Sequence, residues 1–417
     1  MLLSAKTGKS LLALRAVWFS AVSRAVVVGA SLAGLRAAET LRRRGHDGEL
    51  TIIGAERHRP YDRPPLSKQV LTGKVQPEST ALEEPTDLDA QWLLGVKATG
   101  LDPDSRTVRV DGGEEIPYDL LVVATGARPR RLRNFQPGRG VHYLRTLDDA
   151  IRLRDELAGA SSVAVIGAGF IGLEVAASAA ERGLQVTVLE ALSIPLDRAI
   201  GETMGLVIAD LHRRRGIDLR TDVMVEETVG EQRVEGVRLA GGDVVHADVI
   251  VVGIGVVPET RWLDDTKVDL NDGVVCDERL RVLSGGQPIP GVVAAGDVAR
   301  WPHRSWSRLA RIEHWTNAIE QGEAAARTLL EGDSALPFSP VPYFWSDQFG
   351  LKIQFVGETV PGDEVSLIEG SFEEERFLVA YGRAGRLVAA LGIRRPARVM
   401  AMQRMIGEGA PYPPEPA

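Results

Sequence analysis

Hydrophobic positions first gather at Ala25-Val26-Val27-Val28, a run too short for a helix and β-branched enough for a buried strand. The turn Gly29-Ala30-Ser31-Leu32-Ala33-Gly34 follows at once, and a helical pattern runs from Leu35 to Arg44. Gly45 stands where a left-handed cap closes a helix. A second strand, Leu50-Thr51-Ile52-Ile53-Gly54, leads to Glu56. The same order returns later: strand Val163-Ala164-Val165-Ile166, turn Gly167-Ala168-Gly169-Phe170-Ile171-Gly172, an alanine-rich helix closed by Gly183, and a strand from Gln185 to Leu189 ending at Glu190. Short strands and turns fill Trp92 to Gly126. They include Val108-Arg109-Val110-Asp111-Gly112-Gly113 and end in Leu120-Leu121-Val122-Val123-Ala124-Thr125-Gly126-Ala127-Arg128-Pro129. Both pieces recur at the same spacing, in Val237 to Gly242 and Val249 to Pro258, so the chain carries an internal duplication.

Between and beyond the repeats the pattern is less regular. Prolines at 60, 64 and 65 predict an extended loop that holds off regular helix until Lys68, where a short helical stretch begins. Val292 to Ala295 reads as a strand ending in Gly296-Asp297, and a long helix is predicted from about Ile312 to Leu330, with His314 as a packed side chain. Gly332 to Pro342 reads as a linker. A last module follows, with strands near Ile353–Val356, Phe377–Tyr381 and Leu387–Leu391. Upstream, residues 1–23 mix Lys6, Lys9 and Arg15 with apolar residues and no acid. A signal or transit segment is one reading, although Arg15 interrupts the apolar core; a disordered extension is the favoured one.

Strand, glycine turn, helix, strand and acid together form a dinucleotide-binding βαβ unit. Gly29 permits the tight turn, the small Ser31 lets backbone approach a pyrophosphate, and Gly34 lets helix pack on strand. The helix N-terminus supplies free N–H groups and partial positive charge, and Glu56 stands where a carboxylate accepts from a ribose. Tight turns need glycine even without a ligand, but the full βαβ context favours nucleotide binding. The second unit has the complete glycine set, Gly167, Gly169 and Gly172. Its acid, Glu190, is followed by Ala191, Leu192 and Ser193, with no arginine for a 2′-phosphate, so NAD is expected rather than NADP. Two such units on one chain imply two nucleotides brought face to face, as hydride transfer between cofactors requires.

Composition narrows the chemistry. A net charge of −8 over 417 residues argues against a general nucleic-acid binder, and no apolar run is long enough to span a bilayer. With one cysteine, Cys276, the chain can hold no intrachain disulfide and no dithiol relay. No metal-ligand cluster is visible in the pattern.

These residues resemble the FAD-dependent, NADH-linked ferredoxin reductases that serve Rieske-type oxygenases and bacterial cytochromes P450. The resemblance is carried by the first glycine turn, Arg-Pro-Pro-Leu-Ser-Lys at 63–68, Ala-Thr-Gly at 124–126 and Leu-Arg-Thr-Leu-Asp-Asp-Ala at 144–150. Gly-Asp at 296–297, Glu-His-Trp-x-Asn-Ala at 313–318 and Phe-Trp-Ser-Asp-Gln at 344–348 extend it. It implies an α/β fold with two Rossmann-like domains of the glutathione-reductase type and a C-terminal α+β domain. The FAD domain would comprise 24–128 and 252–336, the NAD domain 129–251 and the C-terminal domain 337–410. Carried over by position, FAD would be held by Gly29, Ser31, Ala33, Gly34, Glu56, Lys68, Ala98, Ala124, Thr125, Gly126, Arg145, Gly296, Asp297 and Trp315. NADH would use Gly167, Gly169, Ile171, Gly172, Glu190 and Gly255. Ala55, where some relatives carry the ribose acid, is a departure that Glu56 covers.

Lys68, Glu174 and Trp315 would be the catalytic residues, with Lys68 and Glu174 pairing beside flavin N5. The partner would be a 2Fe–2S ferredoxin, steered by Arg304, Arg308, Arg311, Arg394, Arg395 and Arg398. The protein would be cytoplasmic, a monomer or weak homodimer, with no membrane, nucleic-acid or metal partner. Two alternatives share the fold: an NADH oxidase or disulfide reductase, which needs a cysteine absent from Arg24–Lys68, and an NADH-sensing flavoprotein of the apoptosis-inducing-factor type.

Overall fold

A computed structural model describes residues 23–414; the proposed N-terminal extension therefore lies almost wholly outside the described residues. Two parallel sheets form the body. In the first, the strands run in the order Arg281–Ser284, Gln287–Ala294, Leu120–Val123, Ala25–Val28, Leu50–Gly54, Gln91–Leu94, all parallel except the first. In the second, the order is Asp218–Arg220, Gln185–Leu189, Ser162–Ile166, Val249–Val252, Val141–Tyr143, parallel throughout. The central strands Ala25–Val28 and Ser162–Ile166 are buried almost end to end, which is why they read as unbroken apolar runs.

Helix α1 (Leu32–Arg43) follows the first glycine turn, starting three residues earlier than its apolar pattern predicts because Ser31 is its N-cap. Gly45 closes it at φ +93°. Helix α2 (Leu147–Ala158) opens with a capping box in which Thr146 and Asp149 satisfy each other's main-chain N–H groups. Helix α3 (Phe170–Glu181) follows the second glycine turn, and α4 (Asp197–Arg214) is broken at Gly201. Helix α5 (Trp315–Glu331) begins later than expected, with His314 as its extended N-cap. Helix α6 (Pro396–Gly407) lies against the last sheet, where a Cβ at Gly392 would come within 2.5 Å of Val399.

The duplication has a structural counterpart. Each copy carries a small antiparallel meander, built around Thr107–Val110 in one and Gly236–Leu239 in the other. The repeat ends also pair with each other: Ala127–Pro129 and Val256–Pro258 form an antiparallel ribbon joining the two units. Val249–Val252 is a strand of the second sheet, and Gly253 N–H donates to Ile166 O at 2.7 Å. The second unit thus runs past residue 251 to that ribbon.

The last module is a five-stranded antiparallel sheet ordered Tyr343–Gln348, Leu351–Gly357, Arg386–Ile393, Arg376–Arg383, Glu364–Ser371. The two strands that the apolar pattern leaves out, Tyr343–Gln348 and Glu364–Ser371, are its edges, where half-exposed positions dilute the signal. One face shares a core with α4: Ile200, Met204 and Ile208 pack among Ile353, Phe355, Phe377 and Tyr381. The segment before Lys68 also differs from expectation. Pro64–Ser67 is a short 3-10 helix, and Lys68 ends it rather than starting one. Proline suits a first helical turn because its missing N–H would find no partner there.

Candidate functional site

Both glycine turns are fixed by close backbone approach. A Cβ on Gly34 would lie 1.9 Å from Gly29 O, and one on Gly172 would lie 2.1 Å from Gly167 O. Gly29 adopts φ +127° and would carry its Cβ 2.0 Å from Ala124 O; Gly167 adopts φ +99°. Gly169, by contrast, has open space around its Cβ direction, with only Gly253 O at 4.0 Å. That is the position at which a ligand's phosphate can approach the main chain. The first helical bonds of α1 and α3 are Leu35 N–H to Ser31 O and Leu173 N–H to Gly169 O, both followed by ordinary helix. The N–H groups ahead of them have no intrahelical acceptor, and Ser31 makes no capping bond with its own hydroxyl.

Around the first turn, polar side chains converge. Glu56 accepts from Tyr61 Oη at 2.5 Å and from Arg63 Nη2 at 2.6 Å. Arg63 also donates to Arg145 O at 2.7 Å and approaches Ser31 Oγ at 3.4 Å. Arg145 forms a 2.8 Å ion pair with Asp297, and its guanidinium lies 3.5 Å from where a Cβ on Gly126 would stand. Gly296 (φ +79°) packs against Ala33 and donates its N–H to Gln321 Oε1 at 2.8 Å. Thr125 donates its hydroxyl to Glu259 O, tying the ribbon together, while buried Ala124 follows the strand Leu120–Val123. Ala98 lies further off in the meander, paired with Val110.

Along α5 and its cap, His314 Nδ1, Asn317 Oδ1 and Gln321 Nε2 are buried without a partner among the described residues. Burial pushes the His314 imidazole down to about 4. Unsatisfied polar atoms, a glycine turn opening a helix and a convergent acid–arginine set together fit a large polar dinucleotide such as FAD.

The second turn carries its own acid. Glu190 accepts from Ala168 N–H at 2.6 Å and from Leu192 N–H at 2.9 Å. Ile171 is an exposed apolar residue in the first turn of α3, and Gly255 (φ +88°) has open space on its Cβ side.

Lys68, Glu174 and Trp315 come from three distant parts of the chain. Lys68 Nζ lies 2.7 Å from Glu174 Oε2, with side chains 11% and 6% exposed, and donates a second bond to Pro64 O. Ser67 Oγ donates to Glu174 Oε2 and Ser346 Oγ to Oε1, each at 2.5 Å. Trp315 Nε1 donates to Asp62 Oδ1 at 2.6 Å, and its ring meets Trp345 edge-on with centroids 5.6 Å apart. Burial raises the Asp62 carboxyl above its ordinary value, although the Trp315 bond and Lys68 oppose this.

Asp62, Arg63, Ser67 and Ser346 thus sit in the site although no residue pattern assigns them a role. The only signal in the sequence is that they fall inside the segments around Pro-Pro-Leu-Ser-Lys and Phe-Trp-Ser-Asp-Gln. The arginines expected to steer a partner are less free than their types suggest. Arg304 pairs with Glu278 at 3.1 Å, Arg308 with Glu358, and Arg395 and Arg398 with Glu369. Arg311 is 11% exposed and pairs with Asp272 and Glu313. Arginines paired one-to-one in this way project little field, whereas Glu369 cancels only one of the two charges it faces. Among the described residues, no group of His, Cys, Asp and Glu is arranged to hold a metal, and no helix is long and apolar enough to cross a membrane.

Comparison with known proteins gives this geometry a family. Residues 23–322 match the pyridine nucleotide-disulphide oxidoreductase family, and residues 343–417 match a reductase C-terminal domain. Rhodocoxin reductase of Rhodococcus erythropolis is 37% identical, over 94% of this chain and 91% of its own. The ferredoxin–NAD(+) reductase component of the p-cumate 2,3-dioxygenase system of Pseudomonas putida is 36% identical, over 82% and 83%. Among solved structures, the covalent putidaredoxin reductase–putidaredoxin complex superposes with a TM-score of 0.87 at 32% identity, covering 94% of each chain. The chain belongs to the pyridine nucleotide-disulphide oxidoreductase family, with the C-terminal domain of its ferredoxin reductase members.

Proposed function

We propose that this protein is an NADH-dependent ferredoxin reductase that binds FAD tightly and delivers electrons to a 2Fe–2S ferredoxin of an oxygenase or cytochrome P450 system. The carrying observation is the buried Lys68–Glu174 pair, contributed from opposite nucleotide units and clasped by Ser346 of the third domain. When bound, the flavin supplies the ability to accept a hydride and release electrons singly. The chain supplies alignment and a fixed electrostatic setting. Lys68 presents an ammonium group, Glu174 holds it in place, and Trp315, anchored by Asp62, shields the site from water. A dithiol route has no support, because the lone Cys276 is buried and its thiol is pushed well above the ordinary range by burial.

Steady-state NADH oxidation with a panel of ferredoxins and a rubredoxin tests the reading; turnover with at least one ferredoxin is expected, and none with any of them contradicts it. Flavin released by heat is expected to be FAD, and mainly FMN would count against the two-turn arrangement. Cofactor choice follows from Glu190, whose carboxylate repels a 2′-phosphate, while nearby Arg220 is tied to Asp218 at 2.7 Å. NADH is expected to exceed NADPH by at least about tenfold in kcat/KM. Equal efficiencies would refute this.

A further inference from the structure

The bonds at Glu174 continue beyond Ser346. Gln348 Nε2 donates to Ser346 Oγ at 3.0 Å, and His212 Nε2 lies 2.7 Å from Gln348 Oε1. Every member of this chain is buried: Glu174 5%, Ser346 0%, Gln348 1% and His212 0% exposed. Its direction is determined. The single Ser346 hydroxyl proton goes to the Glu174 carboxylate, so Ser346 Oγ accepts from the Gln348 amide N–H. The Gln348 carbonyl oxygen then faces His212, whose Nε2 must carry the proton, leaving Nδ1 as the bare nitrogen; that atom has no partner among the described residues. All donors therefore point the same way, toward Glu174, and dipoles so aligned in a low-dielectric interior reinforce one another.

The strand Tyr343–Gln348 explains the placement. Its side chains alternate, so Ser346 and Gln348 face α3 and α4 while Trp345 lies on the opposite face against Trp315. His212 comes from the last turn of α4 and is held edge-on against Phe349. One short edge strand of the last module thereby links Glu174 on α3 to His212 on α4.

We propose that Ser346, Gln348 and His212 form a one-directional positioning relay that fixes the Glu174 carboxylate and, through it, the Lys68 ammonium. The relay rests on the ferredoxin-reductase reading, which supplies the role of the pair. Losing one donor leaves Glu174 with more uncompensated negative charge against Lys68, so the site becomes less positive and the reduced flavin less stabilised.

The test is a mutant cycle on the FAD-loaded enzyme with NADH and ferricyanide, together with the flavin midpoint potential. Ser346→Ala is expected to lower kcat at least fivefold with KM for NADH within twofold, and to make the potential more negative. Ser346→Thr, which keeps the hydroxyl, restores both. In a Glu174→Gln background, Ser346→Ala should add almost nothing, because its effect passes through that carboxylate. Should Ser346→Ala fail to retain flavin, Gln348→Met reads the same potential shift one link further out. An unchanged potential, or effects that simply add in the double variant, overturns the relay and leaves these residues as packing. A parent enzyme that fails to pass electrons from NADH to ferricyanide overturns the functional reading instead, and the relay with it.

Discussion

Glu174→Ala is expected to slow NADH-dependent reduction of ferricyanide by about 10²-fold or more while NADH still binds. The reason is what the substitution leaves behind. Lys68 is 11% exposed on its side chain, and its other acceptors are a backbone carbonyl and a serine hydroxyl. Stripped of its carboxylate, the buried ammonium is left without a compensating charge. Ser67 and Ser346 lose their acceptor at the same time. Breaking a buried pair by removing one partner costs about 3–5 kcal/mol, so the midpoint of chemical denaturation should fall as well. Lys68→Met tests the same pair from the other side and should be as slow. A Glu174→Ala enzyme with parental turnover would remove the pair from any account of the reaction.

Gly34→Ala should act through backbone geometry alone. Its new Cβ would lie 1.9 Å from Gly29 O and 3.0 Å from Val27 Cγ1, and neither neighbour can yield, since Gly29 itself is held against Ala124. Helix α1 would have to lift from the strand Ala25–Val28, spoiling both the phosphate turn and the packing of α1 on α5. Overpacking of this kind costs about 3 kcal/mol. The purified variant is expected to be largely colourless and to unfold at lower denaturant with an unchanged slope. Gly183→Ala is the control, because nothing lies within 4 Å of that Cβ; its cost should be confined to the strain of φ +84°. Parental flavin content in Gly34→Ala would contradict the close-approach argument.

Both nucleotide units are legible in the sequence for a physical reason. Parallel strands buried on both faces need unbroken β-branched runs, and the glycines are forced because a Cβ at Gly29, Gly34 or Gly172 would come within 2.5 Å of a backbone oxygen. The capping box at Thr146 and Asp149 likewise turns part of a recognised segment into a helix start. What the pattern cannot carry is long-range pairing. Ser67, Glu174, His212 and Ser346 are ordinary residue types far apart in sequence, and only the fold brings them into one hydrogen-bonded chain. The same limit applies to the arginines: Arg308 reads as free until Glu358, fifty positions on, folds against it. At Pro64–Ser67 two prolines suggest extension, yet a first helical turn needs none of the N–H groups they lack.

On the proposed function, electrons enter from NADH and leave to an iron–sulfur protein. Anaerobic single-turnover mixing measures both halves directly: the protein is first bleached with one equivalent of NADH, then mixed with an oxidised 2Fe–2S ferredoxin. The yellow absorbance is expected to return as the ferredoxin spectrum bleaches, with two ferredoxins reduced per NADH. Bleaching by NADH that persists in the presence of every ferredoxin tried, and recovers only with oxygen, would contradict it.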